Sequence, residues 1–108
     1  ERTIKMKHYV GDRTIDGVQV QVDGAPLPQR TDVAQYSENG FEWSYEGESP
    51  LQLAFALLMD HLNDGEAAKA SAKPFMRAVV ANFDNEWEMT SSDIDLALTA
   101  LQNGGKAA

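Results

Sequence analysis

Residues Phe41 to Asn63 read FEWSYEGESPLQLAFALLMDHLN, a stretch in which an alternating pattern gives way to a helical one. Phe41-Glu42-Trp43-Ser44-Tyr45 alternates aromatic and polar side chains, the period of a half-buried strand with its three rings on one face. Glu46-Gly47-Glu48 interrupts that period. Ser49-Pro50 reads as an N-cap followed by a proline in the first turn, where a missing N–H costs nothing. From about Pro50 to Asn63 the spacing predicts a helix. Gln52, Ala56, Asp60 and Asn63 fall three or four residues apart and form one narrow stripe, expected to face water. Leu51, Leu53, Ala54, Phe55, Leu57, Leu58, Met59 and Leu62 occupy the rest of the circumference. A helix so apolar belongs at the centre of the fold.

Working outward, Thr3 to Val10 reads as a strand with Ile4, Met6, His8 and Val10 on one face, and Gly11-Asp12 as the turn that ends it. Gly17 to Asp23 is a second strand, in which valines alternate with glutamines. Asp23-Gly24 signals a hairpin, and Ala25 to Pro28 allows only a short return strand. Gln29 to Gly40 is polar and irregular. On the far side, Glu66 to Phe83 predicts a second helix, with Pro74 expected to break it near Ala72-Lys73. Glu86 to Met89 reads as a short strand, and Trp87 is expected near Trp43. Thr90 and Asp93 are spaced as a capping box for a third helix, with Ile94, Leu96, Ala97, Leu98 and Leu101 facing the core. Gly104 reads as its stop. The order predicts one α+β domain over residues 1–103, a mainly antiparallel sheet of four to five short strands on three helices, with a flexible tail at 104–108.

The 108-residue chain has no cysteine, which excludes disulfides and thiolate metal sites and fits a reducing, cytoplasmic setting. No apolar run is long enough for a membrane span. The formal charge of −8 is unevenly spread, because Thr31 to Ala68 contains no Lys or Arg. Asp32, Glu38, Glu42, Glu46, Glu48, Asp60, Asp64 and Glu66 all lie in that interval. Such a surface repels phosphate backbones, so direct nucleic-acid binding is not expected and a partner protein with a basic surface is.

Gly40, Phe41, Glu42, Trp43, Tyr45, Gly47, Pro50, Gln52, Leu53 and Ala54 carry a resemblance. They resemble the signature of an uncharacterised family of small bacterial and phage-borne domains of unknown function. In it a Gly-Phe-Glu-Trp run leads through a Gly- and Ser-rich turn to a Pro and a Gln-Leu-Ala helix start. The similarity extends to Tyr9-Val10-Gly11, Asp23-Gly24 and Trp87-Glu88-Met89-Thr90. It implies a fold and a bacterial or phage setting, but no activity and no catalytic residues. The family pattern has glycines at the positions of Ser44, Glu46 and Ser49, and a serine at that of Glu48. A glycine-rich turn before a helix can cradle an anion. Here Glu46 and Glu48 bring two negative charges to that turn, which argues against phosphate binding.

No nucleophile sits in a G-x-S-x-G turn and no phosphate-loop or dinucleotide glycine pattern occurs. Glu42, Glu46 and Glu48 admit a reading as acid–base carboxylates, but solvated loop acids are the commoner case. His61 reads as a half-buried core imidazole, and no metal set assembles around it. The leading expectation is a non-enzymatic domain that meets a basic partner protein through Glu42, Tyr45, Glu46, Glu48 and Asp60. A concrete form is a phage-type inhibitor that occupies the nucleic-acid channel of a host defence complex. The alternatives are a small ligand-binding or hydrolytic site at Glu46, Glu48 and His61, and an accessory module for an operon neighbour. No cofactor is implied.

Overall fold

The computed structural model describes residues 6–107, with side chains through residue 102. The fold is α+β, as the element order predicts. Four strands, β1 (His8–Thr14), β2 (Gly17–Val22), β3 (Ala25–Pro26) and β4 (Glu86–Thr90), form one antiparallel sheet in the order β3-β2-β1-β4. Among the described residues there are also three helices, α1 (Glu48–Leu62), α2 (Gly65–Ala78) and α3 (Ser91–Ala107), and a 3-10 turn at Val80–Asn82.

β1 runs from His8 to Thr14, past the turn that its sequence pattern suggests. Gly11-Asp12 is not a turn: both residues pair within the sheet, and the chain reverses at Ile15-Asp16 instead. Thr14 fastens that reversal, its hydroxyl accepting from Asp16 N–H at 3.1 Å and donating to Gly17 O at 2.8 Å. The inward residues of β1 are Tyr9 and Gly11, while His8 and Met6 are exposed and Ile4 lies outside the described residues. The reason is Trp87. Its indole covers the bare backbone of Gly11, where a Cβ would stand 2.3 Å from the ring. Glycine here serves close approach, not a turn. The β2–β3 hairpin does turn at Asp23-Gly24, whose φ values of 52° and 85° are those of a type I′ reversal.

Phe41 to Tyr45 belongs to no strand and bends at Ser44 and Tyr45. Its backbone is bonded elsewhere: Trp43 O accepts from Arg13 Nη2 at 2.7 Å, and Ser44 N–H donates to Val80 O at 3.2 Å. Ser44 adopts φ +80°, which turns Tyr45 away from the buried side that Phe41 and Trp43 share. The three rings therefore do not lie on one face. Trp43 instead meets Trp87 edge to face, with ring centroids 5.7 Å apart, and Phe83 stacks on Trp87 at 4.2 Å. The expected proximity of the two tryptophans holds.

α1 begins at Glu48, after an extended Gly47 that provides no side-chain cap. Ser49 lies inside the helix, and its hydroxyl bonds Ser37 Oγ at 2.8 Å. Pro50 stays within the first turn, whose N–H groups lack helical partners in any case. The stripe of Gln52, Ala56 and Asp60 does not face water. Gln52 and Ala56 are fully buried and Asp60 is largely covered; only Asn63, the left-handed C-cap, is exposed. α1 packs against α2, α3 and the 3-10 turn, so it is enclosed all round.

α2 opens on Asp64, whose carboxylate accepts from the N–H groups of Glu66 and Ala67. It continues through Pro74 and ends at Ala78. Pro74 and Ala70, whose carbonyl loses its helical partner, are both exposed, which leaves that oxygen on the solvent side, and the helix does not break at Ala72-Lys73. Thr90 and Asp93 form the expected reciprocal cap of α3: Thr90 N–H donates to Asp93 Oδ2 at 3.0 Å, and Asp93 N–H to Thr90 Oγ1 at 3.2 Å. Ile94 is buried and Ala97, Leu98 and Leu101 pack against the core, but Leu96 is 67% exposed. Helix α3 runs on past Gly104 to Ala107 rather than ending in a tail there.

Gly11→Ala is expected to destabilise the fold by about 1–3 kcal/mol, because the methyl would enter the Trp87 ring. In a Trp87→Leu background the same substitution should cost less, and chemical denaturation of the four proteins measures that coupling.

Candidate functional site

The residues singled out from the sequence do not form one cluster. Glu42 is committed within the molecule. Its Oε1 accepts from Arg13 Nη2 at 2.7 Å and from Trp43 N–H at 3.2 Å, while the same guanidinium lies 4.9 Å from the centroid of the Trp43 ring. Arg13 also donates to Asn85 Oδ1 at 2.6 Å. Arg13 thus spans β1, the 41–45 stretch and the approach to β4, and Glu42 is its counter-ion. Asp60 is likewise engaged, accepting from Tyr9 Oη at 2.7 Å and Lys7 Nζ at 3.0 Å. Burial and the adjoining Asp60 carboxylate push the Tyr9 hydroxyl pKa far above its ordinary value near 10.

Tyr45, Glu46 and Glu48 remain at the surface around the start of α1. Tyr45 is 49% exposed and leans over Gly47, where a Cβ would stand 2.9 Å from its ring. Glu46 lies 3.6 Å from Arg77 in an exposed pair, a geometry that contributes little. Glu48 sits in the first turn of α1, where the helix dipole favours a negative charge. It also edges a small polar depression of about 390 Å³ against Ser37, Glu38 and Asn39.

His61 is at the other end of α1. Thirteen positions at 1.5 Å each separate it from Glu48, roughly 20 Å along the axis. Its Nε2 meets Asp95 Oδ1 at 2.6 Å and ties α1 to α3. The alternative cluster of Glu46, Glu48 and His61 is therefore not assembled. Among the described residues no group of three or more His, Asp or Glu side chains is placed to hold a metal ion.

Buried Gln52 is the polar centre of this region. Its Oε1 accepts from Tyr36 N–H at 2.6 Å and Ser37 N–H at 3.2 Å, and its Nε2 donates to Gln29 O at 2.8 Å and Ala34 O at 3.1 Å. One amide thereby fixes the irregular chain between β3 and α1, and with it the wall beside Glu48. Nothing in the sequence marked Gln52 as buried, since a glutamine on a helical stripe normally faces solvent.

The sheet carries a second acidic surface that the sequence reading passed over. Helices cover one face of the sheet. The other is open, and cross-strand register arranges it as two rows: Glu86, Asp12 and Gln19, then Glu88, Val10 and Gln21. These six side chains border a depression of about 560 Å³. Asp12 stands directly opposite Glu86, and no described cation pairs with either. Among the described residues, Glu88 meets His8 at 3.5 Å. The signal was present in Glu86-Trp87-Glu88-Met89, whose alternation places both glutamates outward once the rings go inward.

Residues 9–100 match a family of unknown function, DUF6166. The chain belongs to that family. The DUF6166 match begins at inward-facing Tyr9 in β1 and ends within α3, so it spans the sheet, the aromatic cluster and all of α1 and α2. No curated protein and no solved structure matches the chain. Among the described residues of this DUF6166 domain, no helix is long and apolar enough to cross a membrane.

Two substitutions probe these contacts. Gln52→Leu should cost about 3 kcal/mol, since it strands several buried backbone groups, and should expose residues 29–37 to limited proteolysis. Tyr9 supplies a pH signature. Its raised pKa means that above pH about 10 the unfolded chain loses a proton the folded chain keeps, so stability present below that pH falls as pH rises. Tyr9→Phe should flatten this alkaline slope in thermal melts taken across pH.

Proposed function

We propose that this domain is non-enzymatic and acts by binding, its negative surface engaging a basic region of another protein. The observation that carries this reading is how the acids divide. Glu42 and Asp60 are spent on internal cations, whereas Glu48, Asp12 and Glu86 have no cation partner among the described residues and lie on accessible surface. Of the contacts expected from sequence, Tyr45, Glu46 and Glu48 remain suited to a partner, because they are exposed together at the start of α1. Glu42 and Asp60 drop to structural roles. A half-exposed tyrosine beside carboxylates is a favourable interface anchor, offering area at low entropic cost.

In a concrete form of this proposal, the domain is a phage-type inhibitor acting in the cytoplasm. Its carboxylates would occupy the channel through which a host defence complex holds nucleic acid, standing in for phosphates. The family resemblance suggests this setting, and the net charge of −8 suits the chemistry.

Association governed by such charges is sensitive to salt. Pull-downs from the source cell at about 50 mM and about 300 mM salt should retain a basic protein at the lower concentration and lose most of it at the higher. Retention that is unchanged at high salt would refute the electrostatic reading.

A further inference from the structure

We infer that the open face of the sheet is a docking surface for an extended, basic segment of a partner protein, with Lys or Arg at alternate positions. This rests on the binding role proposed above and assigns it to a particular surface.

Three observations converge on this face. The first is its shape: the six residues Val10, Asp12, Gln19, Gln21, Glu86 and Glu88 border a depression on a sheet surface that no described element covers. The second is the cost of its charge. Carboxylates directly opposite one another on neighbouring strands destabilise a sheet. Asp12 and Glu86 are so placed, while Arg13, the nearest strand cation, sends its side chain to the covered face against Trp43. Among the described residues no cation offsets this repulsion. An external cation between the two would relieve it.

The third observation is the spacing. Glu86 and Glu88 are two residues apart on β4, which sets them roughly 6.8 Å apart along the strand, with Asp12 roughly 4.8 Å to the side. An extended peptide presents alternate side chains on the same period. Cations at positions i and i+2 would therefore fall on Glu86 and Glu88 in step, the first also reaching Asp12. Gln19 and Gln21 repeat the period on β2 and offer amides to the segment's polar groups. A second copy of this chain is a poor occupant, because a net charge of −8 opposes self-association. Nucleic acid is repelled for the same reason.

The test uses the full chain and a short synthetic peptide alternating Lys and Thr, with a control of the same composition whose lysines are contiguous. Affinity is read by fluorescence anisotropy and the site by backbone amide shifts. The alternating peptide is expected to bind more tightly than the control and to shift residues of β1, β2 and β4. A triple variant, Asp12→Asn with Glu86→Gln and Glu88→Gln, should weaken it about tenfold or more. Its melting temperature should equal or exceed that of the parent, because the repulsion is gone. Glu66→Gln, an exposed carboxylate on α2, should leave peptide affinity close to that of the parent. Binding that shifts residues 45–48 instead, or survives the triple variant, overturns the sheet-face assignment and leaves the broader binding role standing. Equal affinity for both peptides overturns the alternate spacing. If neither peptide binds at low salt, both the assignment and the acidic-binding role fall.

Discussion

The Trp87 indole resting on the bare backbone of Gly11 is the constraint around which this domain is arranged. The ring lies so close to β1 that a side chain at position 11 would have to displace it. It also fixes the inward parity of both strands, which sends Tyr9 and Met89 inward with it. Trp43 then meets Trp87 at a right angle, Phe83 stacks on its other side, and Arg13 closes the cluster over Trp43. Both indole N–H groups are buried without an acceptor among the described residues. Leaving such a donor unpaired costs on the order of 1–3 kcal/mol, so ring packing and the arginine contact must offset it.

That cluster also accounts for which acids are free. Because Gly11 points inward, Asp12 points outward, and because Trp87 points inward, Glu86 and Glu88 do as well. The parity that builds the core thus assembles the acidic rows on the opposite face. Arg13, drawn inward to Trp43 and Glu42, is removed from that face by the same alternation.

The sequence disclosed the elements better than their surroundings. The α+β class, the Asp23-Gly24 reversal, the short return strand, the Thr90–Asp93 cap and the central α1 were all readable, because each depends on local chemistry within a few residues. What failed depended on contacts distant in sequence. The alternation of Phe41–Tyr45 holds only as far as Trp43, because Arg13 and Val80 take the backbone groups that a strand would have used. Gly11 looked like a turn because the indole that needs it lies far along the chain. Gln52 looked solvent-facing because the stretch that encloses it has no regular structure of its own. Leu96 looked buried, yet α3 turns only one side to its neighbours. At the candidate surface, charge was legible and pairing was not: composition could not distinguish Glu42, spent on Arg13, from Glu86, which has no such partner among the described residues.

Gln52 holds the chain between β3 and α1 solely through main-chain atoms: two N–H groups and two carbonyls. Every amino acid except proline offers the same atoms, so the clamp does not depend on which side chains the held segment displays. Residues such as Gln35, Glu38 and Asn39 can then diverge between relatives while the fastening persists. A domain built this way can vary its recognition surface beside α1 at little cost to folding, with the glutamine as the position that must stay.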